Sequence, residues 1–135
     1  RLMVSSDSGR TWKRRAVPAG VFDLAIDPAD RYRIVASTER GVFVSSDAGE
    51  AWRPVNDQLA GLLAWSTGDA LFLVDGQGQA MRSADGGKTF ASAGSVGGQP
   101  VAFAAGDGQL YAALADGTVK QSPDAGSTWT VRAAP

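Results

Sequence analysis

The stretch SSDSGRTW at residues 5–12 decides the fold, because the chain repeats it as SSDAGEAW at 45–52, SADGGKTF at 83–90 and SPDAGSTW at 122–129. All four copies keep Ser, Asp and Gly in register. The seventh position is Thr in three copies and Ala51 in the second, and the eighth is Trp in three and Phe90 in the third. The leading serines lie 40, 38 and 39 residues apart, a period that marks an array of like units of about 40 residues.

Outward from each octet, an apolar run begins 12 residues before the serine: Arg33 to Ala36, Leu71 to Val74 and Leu110 to Ala113. That half of the unit is fixed in length. The variation falls earlier, where 28, 26 and 27 residues separate one octet serine from the next run, so one connection per unit absorbs the insertions. Still earlier lie runs that are almost wholly apolar, Val21 to Ile26, Leu62 to Ser66 and Val101 to Ala105. The segments after the octets, Trp52 to Val55 and Trp129 to Arg132, carry charge. This gradient predicts four strands per unit, the first packed inward and the fourth facing water. No stretch of ten residues shows capped helical periodicity. The expected class is all-β: a β-propeller of four-stranded antiparallel blades, about three and a half blades long. Residues 1–16 form the outer half of a blade, and 17–56, 57–94 and 95–135 form complete ones.

Composition narrows the chemistry. The 135 residues carry 13 Lys+Arg against 14 Asp+Glu, with no His and no Cys. Balanced charge offers no footprint for nucleic acid, and no apolar run reaches the roughly 18 residues of a membrane span. The first residues lack the charged-then-apolar order of a signal peptide. Without His or Cys, this segment supplies no serine-histidine, cysteine-histidine or zinc-thiolate chemistry.

The octets resemble the Asp-box, or bacterial neuraminidase repeat, found in sialidases, the sortilin family, photosystem II assembly and stability factors and many exported bacterial proteins. The resemblance implies a propeller that is secreted or periplasmic, with no cofactor and no metal. It also implies that Ser5, Asp7, Gly9, Trp12, Ser45, Asp47, Gly49, Trp52, Ser83, Asp85, Gly87, Phe90, Ser122, Asp124, Gly126 and Trp129 shape hairpin turns. The residue types agree: the Asp accepts turn amides, the Gly tolerates positive φ, and the aromatic covers the hairpin.

In such propellers the ligand face is built by the loops from fourth to first and from second to third strands, opposite the boxes. That places Asn56, Asp57, Gln58, Asp75, Gln77, Asp116 and the stretch 94–99 on it, with Arg14, Arg15, Glu39 and Arg40 as a charged patch able to hold a carboxylate. Asp23, alone among apolar neighbours in a first strand, is either a hydrolytic carboxylate or the acceptor of a neighbouring blade's amide. Trp65 either fills the core between blades or offers a sugar a stacking platform. Sialidases use an arginine triad with a tyrosine-glutamate pair, and none of the three first strands contains an arginine. The expected function is a non-catalytic module for protein or glycan interaction, part of a larger exported protein. The alternative is a sialidase-like glycoside hydrolase whose catalytic residues lie mostly outside this segment.

An open arc leaves apolar first strands and unpaired edges uncovered. The 135-residue chain by itself is therefore expected to self-associate, or else to sit within a longer polypeptide that closes the ring. Light scattering of the isolated chain returns a mass above that of one copy, and a single-chain mass with cooperative unfolding refutes the expectation.

Overall fold

The computed structural model describes residues 1–67 and 70–135. Two short strands, β1 (Leu2–Val4) and β2 (Lys13–Arg15), pair antiparallel across the first octet. Three four-stranded antiparallel meanders follow. The first holds β3 (Val21–Asp27), β4 (Asp30–Thr38), β5 (Gly41–Ser45) and β6 (Arg53–Asn56). The second holds β7 (Leu62–Trp65), β8 (Leu71–Val74), β9 (Gln79–Ser83) and β10 (Ala91–Ser95). The third holds β11 (Pro100–Gly106), β12 (Gln109–Leu114), β13 (Val119–Ser122) and β14 (Thr130–Ala133). The fold is an all-β propeller arc of about three and a half blades. Strand β7 lies between β3 and β11, which sets the three first strands side by side around one axis. Among the described residues no helix is long and apolar enough to cross a membrane.

Strand β10 runs through Ser95, one residue past the division expected at Gly94. Strands β6 and β14 begin one residue after the octet aromatic, because that aromatic completes the turn instead of entering the ladder.

The core consists of two separate layers, each between neighbouring blades. Val35, Val42 and Val44 meet Leu63, Trp65, Leu71 and Leu73 in one. Val74, Ala80 and Val96 meet Ala112 and Leu114 in the other. Strand β8 feeds both, and all four of its residues are buried, as a strand covered on two faces requires. Strand β12 is covered on one face only, so its burial alternates. Tyr111 is 39% exposed on the outer face.

The apolar first strands are less buried than their composition suggests. Phe22 and Val101 are 60% and 57% exposed, because each is the extra residue of a β-bulge. Val21 pairs with Thr38 and Asp23 with Ser37, which skips Phe22; Pro100 pairs with Leu114 and Ala102 with Ala113, which skips Val101. Bulges of this kind re-aim a side chain.

A second set of bulges recurs in the outer strands. Val55, Ala93 and Arg132 are skipped in pairing with the third strand of their blade, and each stands ten residues after its octet serine. The next residue in the second meander, Gly94, approaches the following blade so closely that a Cβ there meets the carbonyl oxygens of Gly126 at 2.4 Å and Ser127 at 2.6 Å. Gly76, by contrast, has nothing within 4 Å of its Cβ position. Gly94→Ala therefore destabilises the chain by about 2 kcal/mol through forced separation of two blades, whereas Gly76→Ala leaves the melting temperature unchanged. Equal melting temperatures for the two variants refute the close approach.

Candidate functional site

The octets build one turn four times from local hydrogen bonds. The serine hydroxyl donates to the aspartate Oδ1 at 2.8 to 2.9 Å and accepts the glycine amide at 2.8 Å. Oδ1 also accepts the amide of the seventh residue. Oδ2 takes the threonine hydroxyl of Thr11, Thr89 and Thr128, and Ala51 has none to give. The serines at 45, 83 and 122 are buried, so their hydroxyls need the partners the turn supplies.

Two successive left-handed residues close each turn. The glycine is the second; the first is Ser8, Ala48 and Ala125 with φ near 60°, and Gly86 in the third octet. A non-glycine residue pays steric strain there, and only Gly86 hints at this conformation in the sequence.

The donors hold the carboxyls low. Asp7 falls from 3.8 to about 2, first through the Thr11 hydroxyl, and Asp85 falls likewise to about 2 through Thr89. Asp124 is lowered mainly by Thr128, and Asp47, facing Ala51, mainly by that residue's backbone amide. All four are anions at neutral pH that accept from their own turns, Asp47 through Oδ1 alone.

The octets also join blades. Around Gly49 lie Leu2 and Arg15 of the first sheet, around Gly87 lie Val42 and Val35, and around Gly126 lie Ala80 and Ala93. Arg15 donates to the carbonyl of Ala48 and to Glu50, both at 3.3 Å, while the Trp52 indole donates to the Ala16 carbonyl. Trp12 and Trp129 instead close on their own turns, donating to Gly9 and Gly126.

This geometry corrects the expected charged patch. Arg15 is committed to the second octet, whereas Glu39 and Arg40 sit in the β4–β5 turn at the other end of β5. Glu39 accepts the Gly20 amide at 3.2 Å and holds the entry to β3. Arg14 is exposed on β2, in register with Met3. The four residues are therefore not brought to one point. Asp23 accepts the amide of Leu24 with one oxygen and that of Leu63 in the next blade, at 2.8 Å, with the other. Trp65 is buried in the first interblade layer, with the Arg33 guanidinium 5.0 Å from its ring centroid. Among the described residues its indole N–H has no acceptor. Arg33 also pairs with Asp27 at 3.3 Å.

The chain does offer a surface at the end away from the octets. There the starts of β3, β7 and β11 and the end of β8 surround an open depression of about 270 Å³. Phe22, Ala60, Leu62, Val74 and Pro100 supply its apolar lining, and Gly61, Asp75 and Gly76 complete it. Gly61 is forced by closeness, since a Cβ would lie 2.2 Å from the Val74 carbonyl oxygen. Its amide is satisfied by the buried hydroxyl of Ser37. Asp75 holds the β8–β9 turn by accepting the amides of Gln77 and Gln79 at 2.9 Å. Of this lining, the sequence singled out Asp75 alone; Leu62 and Val74 read as ordinary core, and the bulge that exposes Phe22 has no sequence mark.

No family model matches the sequence, and no curated protein matches it significantly. Its fold does match solved structures. YCF48 from Cyanidioschyzon merolae superposes with a TM-score of 0.75 at 23% identity, over 89% of this chain and 39% of that one. YCF48 bound to D1 peptide gives 0.72 at 17%, over 88% and 42%. A chain of the nidogen/laminin complex gives 0.72 at 18%, over 87% and 49%, and an ancestral GH74 enzyme gives 0.71 at 15%, over 98% and 21%. The chain thus spans about two fifths of the YCF48 chains, and the shared feature is the β-propeller fold.

Because the folded carboxyls titrate below their ordinary value, their contribution to stability is full above about pH 4 and fades as pH falls towards 2. Thr89→Ala removes the largest cause at Asp85 and raises its titration midpoint towards 3.8, leaving Asp7 unmoved. Carboxyl NMR titration reads both, and an unmoved Asp85 midpoint contradicts the assignment.

Proposed function

We propose that the chain is a non-catalytic β-propeller segment whose octets are Asp-boxes, and that it holds a protein partner at the depression opposite them. The observation that carries this reading is the bulged, solvent-facing Phe22 at the rim of an apolar hollow. Exposed apolar surface rimmed by polar loops is the mark of an interaction site, and an aromatic anchor at its centre is a common hot spot. Two of the similar propellers are described in complex with protein or peptide, YCF48 with D1 peptide and nidogen with laminin. That supports the same kind of use here.

Glycosidase chemistry asks for a carboxyl kept protonated near neutral pH beside a second, ionised one. The octet carboxyls are shifted the opposite way, and both Asp23 oxygens accept backbone amides. A glycan stacked on Phe22 is the rival occupant. We also place the protein outside the cytoplasm, secreted or periplasmic, on the Asp-box resemblance.

The test is selection of a displayed peptide library on the chain, with counter-selection on Gly76→Arg. Gly76 has open space around its Cβ and no left-handed φ, so the arginine obstructs the depression without disturbing the fold. Clones held by the wild type and lost by both Gly76→Arg and Phe22→Ala are expected. Retention of glycans on an array with that same sensitivity, or release of reducing sugar from a polysaccharide, overturns the reading.

A further inference from the structure

We propose that the partner presents to this depression a basic, extended segment that seats one apolar side chain between lysines or arginines. The inference rests on the protein-docking reading above and adds the chemistry of the occupant. Two features of the rim carry it. The hollow is open and mostly apolar, with room for a large side chain. Its charge is of one sign.

Asp75 lies in the lining itself, and Asp57 stands in the loop that leads through Ala60 into β7. Among the described residues neither is in an ion pair. Asp57 instead accepts the Gln58 amide group, and Asp75 is held in place by two backbone amides through Oδ1.

Other acids at this end of the blades have a cation nearby in the chain. Glu39 is followed by Arg40 on the β4–β5 turn, and Asp116 on the β12–β13 turn is lowered in part by the charge of Lys120. The charged residue of the lining is thus an acid, Asp75, and its negative charge favours cationic partners by steering and by complementarity. An aliphatic or aromatic side chain in the hollow supplies affinity, and flanking cations set register against Asp57 and Asp75.

Three labelled peptides separate the parts of this proposal in fluorescence polarisation at low salt: Lys-Lys-Leu-Lys-Lys, Glu-Glu-Leu-Glu-Glu and Lys-Lys-Gly-Lys-Lys. The first is expected to bind, the other two at least tenfold more weakly. Asp75→Asn keeps an oxygen for the amides of Gln77 and Gln79 but removes the charge. It weakens the first peptide by about three- to fivefold, the size of an exposed ion pair. Salt weakens it further, and Gly76→Arg abolishes it.

Equal binding of the acidic peptide, still lost in Gly76→Arg, overturns the basic partner and leaves the docking face standing. Equal binding of the glycine peptide removes the role of the hollow. Failure of all three peptides overturns this inference, while the library selection judges the docking face on its own. A melting temperature within a degree of wild type for both variants shows that each loss is one of binding.

Discussion

Everything in this molecule hangs on an aspartate that accepts, within a single turn, a serine hydroxyl, a backbone amide and in three cases a threonine hydroxyl. These donors would otherwise face water or lie buried without partners, and the cost of leaving them so is what makes the turn adopt one shape. Because the shape is fixed by contacts four residues apart or fewer, it forms in any blade regardless of what surrounds it. The turn then becomes a rigid part that the next level of structure can use. Its two left-handed residues swing the glycine backbone outward, and there the preceding blade meets it, at Gly49, Gly87 and Gly126.

Blade contact is thus a joint between a preformed turn and a β-sheet surface. The absence of a side chain on Gly94 lets the carbonyls of Gly126 and Ser127 approach the sheet before them. Arg15 makes the corresponding contact by reach instead of closeness. Above these joints the two interblade layers fill with Val, Leu and Trp, and in the second meander the bulged Ala93, ten positions after its serine, lies against the Gly126 turn. At the opposite end the described residues repeat no such turn, and the first two complete blades meet through the Gly61 amide and the Ser37 hydroxyl. Loops vary there, first strands bulge, and an apolar hollow with an acidic rim stays open.

The blade pattern was legible because the octet is local chemistry written in local sequence: Ser, Asp and Gly at fixed offsets report the turn directly. Strand order followed from the fixed interval between the apolar runs and the serines. Asp23 was legible as an anomaly, since an acid among Val21, Phe22, Leu24 and Ile26 needs a donor, and the Leu63 amide is that donor. What stayed hidden depends on three-dimensional neighbours. Nothing at Phe22 or Val101 distinguishes a bulged residue from a buried one. Tyr111 stands in the apolar run from Leu110 to Ala113, and nothing there marks it as the residue that takes the outer face of β12 between buried Leu110 and Ala112. Arg14 and Arg15 are adjacent in sequence, and only Arg15 finds a partner in the second octet, which no linear pattern encodes.

The division of the core into two layers shapes how the arc comes apart. Each blade touches only its neighbours, so stability is a chain of nearest-neighbour couplings, as in stacked repeat proteins, and not a property of one central cluster. Opening one interface does not by itself undo the next. The three-residue strands of the first sheet are joined to the second octet through Leu2, Arg15 and the Trp52 indole. The β7–β10 meander is clamped by a layer on each side. The hollow lies at the mouth of this doubly clamped blade, so the surface it offers is held in place by both layers.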